Sequence, residues 1–153
     1  LQRRCNKGMV SMRYTCCADP APGQFSNNDP ADSSFLPVYS TAVGYDGYLH
    51  WSFQNWNDKP MTDTRWRMFG PGDTFFIYPD GRSSVRYERF VEGIQLSEKI
   101  RLLREFMTAD GDIQGIQRLE NALGPIRSVG MSAAVSSATI VNDLSVAISL
   151  LSR

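Results

Sequence analysis

Gly47-Tyr48-Leu49-His50-Trp51-Ser52-Phe53-Gln54-Asn55-Trp56 is the stretch on which the reading of this chain turns. It holds the single histidine and two of the three tryptophans. Residues 48–53 read as a β-strand entered through a turn at 44–47, with a loop leaving its C-terminal end. Trp51 and Phe53 share one face of such a strand and His50, Ser52 and Gln54 the other, because successive side chains alternate. Aromatic side chains beside amides at a strand's C-terminal end suit a sugar-sized ligand: flat apolar faces for the ring, amides for the hydroxyls. The same tryptophan also reads as a core residue. His50, with no identifiable partner, reads as a hydrogen-bonded structural histidine.

Upstream, residues 9–17 (Met-Val-Ser-Met-Arg-Tyr-Thr-Cys-Cys) form a β-prone run bounded by Gly8 and Asp19-Pro20. A long loop over 18–32 follows, of the length that often carries function. Asp32-Ser33-Ser34 is expected to cap a helix running to about Val43, with Phe35, Leu36, Tyr39, Ala42 and Val43 on its apolar side. Pro37 fits that helix only near the first turn. Strand, loop, helix, turn and strand make a βαβ unit, which implies parallel strands and a right-handed crossover.

Downstream, a second long loop over 55–72 leads to a short apolar strand at 74–78, closed by the Pro79-Asp80-Gly81 turn. Residues 83–88 either pair with that strand or lead directly into a helix. The remainder is helical. A helix over 90–107 places Ile94, Ile100, Leu103 and Met107 on one face. The Asp110-Gly111-Asp112 turn caps a second over 113–123, ended by Gly124-Pro125. A third over 132–151 offers Val135, Ile140, Leu144, Ile148 and Leu151 for packing. The class is α/β. Two or three parallel strands leave edges and apolar faces open, so the pattern reads as the end of a larger barrel or sheet.

A chain of 153 residues can bury a real core. Sixteen basic and sixteen acidic residues cancel, so no global field favours nucleic acid or an anionic membrane. No segment has the run of about 20 apolar residues that a membrane span needs. Cys5, Cys16 and Cys17 read as buried free thiols, since an odd count makes a disulfide framework unfavourable. One histidine and no Cys-x-x-Cys leave no metal site to expect, and no cofactor is implied.

Asn55, Trp56, Asp63 and Trp66 sit on the loop after the tryptophan strand, where exposed indoles must dock on the core or on a ligand. Tyr14, near the end of the first strand, would face the same mouth as Trp51. In the run from Arg82 to Arg89, Arg86 and Arg89 flank Glu88 at spacings that allow local ion pairs, worth about 0–1 kcal/mol where exposed. Glycoside hydrolysis needs two carboxyl functions, or one acid assisted by a substrate acetamide. The acids here, among them Asp46, Asp58, Asp63, Asp73 and Asp80, are scattered, and no Asp-Glu pair is adjacent.

Four blocks in this order carry a resemblance: Tyr14-Thr15-Cys16-Cys17; Gly44-Tyr45-Asp46-Gly47 through Trp56; Gly72-Asp73-Thr74-Phe75-Phe76-Ile77-Tyr78-Pro79; and Arg82-Ser83-Ser84-Val85-Arg86-Tyr87-Glu88-Arg89 followed by Glu92-Gly93-Ile94-Gln95. Over about residues 9–103 the chain resembles the C-terminal part of the glycoside hydrolase 123-like family, also described as the DUF4091 domain. The resemblance implies a (β/α)8 barrel acting on N-acetyl-hexosaminides, with β-N-acetylgalactosaminidase the characterised activity. It also implies substrate-assisted hydrolysis by an Asp-Glu pair on an earlier strand that this chain does not contain. The two strands would be the last two of the barrel, followed by a short extra strand and C-terminal helices. Residues 1–108 would belong to the barrel and 109–153 to a helical extension. Tyr14, Trp51, Asn55, Trp56 and Trp66 would bind the sugar, with no catalytic residue inside the chain. A periplasmic or extracellular location is expected from the resemblance. The missing N-terminal part of the protein would be the main partner, and the open barrel edge favours self-association. After Gln95 the family pattern Asp-Tyr-Glu is replaced by Leu96-Ser97-Glu98. A non-catalytic carbohydrate-binding module and a self-associating structural domain are the rival readings.

Overall fold

A computed structural model describes residues 1–17, 21–131 and 136–152. Its elements in chain order are α1 (Gln2–Cys5), β1 (Met12–Thr15), α2 (Ala31–Ala42), β2 (Gly47–His50), α3 (Val85–Ala109), α4 (Ile113–Ala122), α5 (Gly124–Val129) and α6 (Ser137–Leu151). β1 and β2 pair in parallel, with Met12 opposite Gly47 and Tyr14 opposite Leu49. α2 is the crossover, so the βαβ expectation holds. Asp46 extends the pairing: its amide donates to the Ser11 carbonyl at 2.9 Å and its carboxylate accepts the Ser11 amide at 2.6 Å.

The sheet is two-sided in the alternating manner its period requires. Met12, Tyr14 and Leu49 are exposed on one face, while Thr15 and His50 are buried. The Arg13 guanidinium lies over the Tyr39 ring of α2 at 5.2 Å, and Tyr48 packs on Phe90 of α3. The helices therefore cover one side of the sheet.

α2 is the most enclosed element: Ala31 through Val38 are all buried. It begins without a side-chain cap from Asp32-Ser33-Ser34. Asp29 instead accepts the Ala31 amide at 2.9 Å. Asp32 turns inward, accepting the Gly23 amide at 3.0 Å and the Ser137 hydroxyl of α6 at 2.6 Å. Burial raises its pKa, partly offset by those two hydrogen bonds. Pro37 stands in the helix interior, not the first turn as expected. It is tolerated where α3 crosses: an added Cβ at Gly93 would lie 2.4 Å from the Ser34 carbonyl oxygen and 2.7 Å from the Pro37 ring. Only glycine lets the two helices approach so closely.

One core cluster joins Phe35, Val38 and Ala42 of α2, Leu96, Ile100 and Met107 of α3, Leu119, Leu123 and Ile126 around α4 and α5, and Ile140, Leu144 and Ile148 of α6. Ile94 is exposed, contrary to the expected face of α3. It stands six residues from Ile100, about a third of a turn round the helix from it and outside the stripe that Gly93, Leu96, Ile100, Leu103 and Met107 define. Ser84 caps α3 by accepting the Tyr87 amide at 3.2 Å, and Asp112 caps α4 by accepting the Gly115 amide at 2.7 Å. α4 ends before Gly124-Pro125 as expected, and that pair opens α5, with proline in the first turn where its missing N–H costs nothing. Val135 lies outside the described residues. Among the described residues no helix is long and apolar enough to cross a membrane.

The carbonyl end of α2 is held by cations. Arg127 donates to the Ala42 carbonyl at 2.6 Å and Arg104 to that of Thr41 at 3.4 Å. Both arginines pair with Glu120, Arg104 at 2.8 Å. Burial raises the Glu120 pKa, but the hydrogen bonds from Arg104 and Arg127 outweigh it and hold the carboxyl below its usual range. A depressed folded pKa contributes stability above the unfolded value near 4.5 that is lost as pH falls through the folded one. Glu120→Gln should therefore lower stability at pH 7 by about 1 kcal/mol after screening at this half-exposed site. In urea titrations at several pH values, the gap from wild type should close toward pH 3. Gly93→Ala should cost about 1–3 kcal/mol by forcing α2 and α3 apart; a wild-type urea midpoint would contradict the close approach.

Candidate functional site

The carboxyl ends of β1 and β2 emerge side by side, and residues 51–84 fold over them. Residues 74–78 do not form the expected third strand. Two isolated antiparallel bridges, Gln54 with Phe75 and Ile77 with Ser83, take its place. Residues 83–88 accordingly do both things expected of them: Ser83 pairs and Val85 starts α3. Phe75 and Phe76 are fully buried. Phe76 packs on Phe53 at 4.7 Å, on the His50 ring at 5.3 Å and on Phe90 at 5.9 Å between ring centroids.

Asp73 is the polar centre of this segment. Its residue is 1% exposed. Oδ2 accepts the Trp51 indole N–H at 2.8 Å. The Asp73 carbonyl lies 2.8 Å from His50 Nε2, and Oδ1 lies 3.4 Å from the same nitrogen. A carbonyl can only accept, so Nε2 carries the imidazole proton. His50 is thus the hydrogen-bonded structural histidine that was expected, and its partner is Asp73. His50 Nδ1 and Asp73 Oδ1 have no hydrogen-bond partner among the described residues.

Arg86 does not pair with Glu88. It reaches back from α3 and donates to the Phe75 carbonyl at 2.9 Å and the Gly72 carbonyl at 3.3 Å. Burial pushes its pKa down, opposed by the nearby Tyr78 and Asp73. Arg89 pairs with Glu92 and Arg82 with Asp80, both exposed.

Of the five expected sugar contacts, Tyr14 and Trp51 lie at the carboxyl ends of the paired strands. Tyr14 is exposed at the end of β1, and its hydroxyl pKa is raised by desolvation, then by Cys16, Cys17 and the Asp73 charge. Trp51 is half-buried, with its ring edge-on to Phe69 at 4.9 Å. The other three are fixed by separate contacts. Asn55 donates to Ser52 Oγ at 2.7 Å, and its backbone is clasped by Thr74. Trp56 donates its indole N–H to the Ile77 carbonyl at 2.8 Å. Trp66 lies under the Arg67 guanidinium at 5.1 Å. Cys16 and Cys17 are half-buried free thiols beside Tyr14, whereas Cys5 is exposed, not buried, because α1 packs no apolar face. Among the described residues no cluster of three metal-ligating side chains occurs.

Asp73 and Arg86 were not singled out by the sequence. The available signal was Gly72-Asp73: Gly72 has φ of 89°, and a side chain there would lie 2.6 Å from the Ser26 amide and 3.1 Å from Arg86 Cζ. Gly72→Ala should lower stability by about 2 kcal/mol or more through left-handed strain and crowding together. Tryptophan fluorescence should report the changed Trp51 environment; an unaltered spectrum and melting temperature would contradict this geometry.

Tyr14 and Trp51 stand at adjacent strand ends, and the described residues bring no pair of carboxylates to that place. Comparison with known proteins fits this. Residues 1–103 match the family model of the glycoside hydrolase 123 catalytic domain. A solved family 123 glycoside hydrolase from Clostridium perfringens, analysed for glycolipid glycan hydrolysis, superposes with a TM-score of 0.78 at 25% sequence identity. The match covers 99% of this chain and 29% of that one. No curated protein sequence matches. With two-thirds of its residues inside the family match and its whole length on part of a solved member, the chain belongs to the glycoside hydrolase 123 family and represents part of its catalytic domain.

Proposed function

We propose that this chain supplies the last two strands of a (β/α)8 barrel and one wall of a sugar site that takes the terminal residue of an N-acetyl-hexosaminide. Residues 1–108 belong to the barrel on this reading, and 109–153 are a helical extension packed on α2 and α3. The observation that carries it is the place of Tyr14 and Trp51 at the carboxyl ends of two adjacent parallel strands. In barrels of this kind that end holds the active site. Asn55, Trp56 and Trp66 extend the wall along the following loop.

The chemistry is retaining, substrate-assisted hydrolysis, in which the sugar's acetamide attacks the anomeric carbon and a carboxylic acid protonates the leaving oxygen. This chain supplies the surface that orients the sugar; the acid and the carboxylate that steers the acetamide come from an earlier strand of the same polypeptide. The exposed sheet face of Met12, Tyr14 and Leu49 supports that division, since apolar side chains there fit the interior of a closed barrel. A secreted or periplasmic setting suits such a substrate.

The full-length polypeptide should release 4-nitrophenol from 4-nitrophenyl β-N-acetylgalactosaminide, and the purified 153-residue chain should not. Turnover by the isolated chain would sink the division of labour. An inactive full-length protein whose tryptophan fluorescence still saturates with N-acetylgalactosamine would favour a non-catalytic binding module. The same exposed face favours a self-associating domain as a second reading, and light scattering on the isolated chain separates a dimer from a monomer.

A further inference from the structure

The carboxylate behind the wall has a role of its own. Trp51 can present a flat face to a ring only if its indole cannot rotate, and two contacts fix it: the edge-on packing against Phe69 and the N–H bond to Asp73. Asp73 also holds the neighbouring residue: its backbone carbonyl accepts the His50 Nε2 proton at 2.8 Å, while Oδ1, 3.4 Å from that nitrogen, has no hydrogen-bond partner among the described residues. Two donors from adjacent residues of one strand end thus converge on one buried residue, the indole on its carboxylate and the imidazole on its carbonyl. We propose that Asp73 is the positioning residue of the sugar wall, setting the plane of Trp51 so that substrate binding depends on a group that never touches substrate. The inference rests on the reading of Trp51 as a sugar contact.

The argument is specific to an acceptor on this side chain. Leucine has nearly the same shape and no acceptor, so Asp73→Leu keeps the packing volume and leaves the indole N–H unpaired in a dry site, which is costly. Asparagine can turn its amide oxygen toward Trp51 and keep the bond. The Asp73 carbonyl that holds His50 is the same in both variants. Buried Phe75 and Phe76 and the Arg86 bonds to the flanking carbonyls remain to hold the loop.

The test uses the full-length polypeptide with selectively 15N-labelled tryptophan and the aryl N-acetylgalactosaminide above. Trp51→Phe assigns the Trp51 indole resonance. Asp73→Leu should displace that resonance and raise KM about tenfold or more while kcat stays within about threefold of wild type, and Asp73→Asn should return both toward wild type. A displaced resonance with unchanged KM would overturn the inference, as would an unmoved resonance, or a kcat loss at constant KM. Trp51→Ala separates the two layers of the reading. If it leaves KM unchanged, the sugar wall itself fails and the positioning role with it. If it raises KM while Asp73→Leu does not, only the positioning role fails. Should Asp73→Leu not fold, Asp73→Ser serves in its place, because its side chain is too short to reach the indole. An elevated KM for that variant supports the inference and a wild-type KM overturns it.

Discussion

The backbone of α3 at Gly93 meets the backbone of α2 at Ser34 with no room for a side chain between them. Much else follows from that approach. A two-stranded parallel sheet cannot enclose a core, so the apolar residues of α2 must be covered by helices. α3 does most of this, and its register on α2 fixes where its N-terminal turn lies. Arg86 and Ser84 in that turn then reach the 72–76 segment through the Gly72, Phe75 and Phe76 carbonyls. The position of the loop over the strand ends is thus inherited from a helix crossing made of glycine and proline.

Within residues 51–84 regular structure contributes little, since two isolated bridges are all the pairing found among them. Magnitudes decide what holds the segment. Burying Phe75 and Phe76 contributes about 1.5–3 kcal/mol each. The indole bonds of Trp51 and Trp56 contribute about 1 kcal/mol each, somewhat more where the acceptor is charged. Packing therefore holds the segment down, and hydrogen bonds aim the side chains. This matters for carbohydrate recognition, where a ring stacked a few tens of degrees out of plane loses its contact area.

The sequence made the βαβ unit, the long C-terminal helices and the aromatic strand legible, because each rests on local periodicity. Ile140, Leu144 and Ile148 recur every fourth residue and are buried as that spacing requires. What escaped depends on contacts between distant segments. Pro37 reads as a helix breaker until Gly93 is found against it, 56 positions later. Leu96, where the family pattern has an acid, is a core residue of α3, so the replacement falls on a helix contact and adds apolar packing there. Arg86 looked like one more charge in a surface run, and no local rule distinguishes it from Arg89, which is exposed. Tyr14 and Trp51 stand out by type and place on their strands; Asp73, 22 residues beyond Trp51, does not, since nothing local marks one scattered acid as the acceptor for that indole.

The two faces of the β1–β2 pair show why such a wall must be rigid by itself. Thr15 and His50 are buried on the helix side, while Met12, Tyr14 and Leu49 stand exposed on the other. A side chain on the exposed side receives no orientation from the helices. Trp51, at the point where β2 ends and alternation ceases to dictate direction, needs an external anchor, and its indole finds one in the Asp73 carboxylate, while the Asp73 backbone carbonyl accepts from the neighbouring His50. Coupling both donors to one residue makes the strand end and the loop a single unit. On the proposed reading the wall then keeps its shape independently of the residues that carry the acid and base, which is what dividing recognition and chemistry between separate strands of one barrel requires.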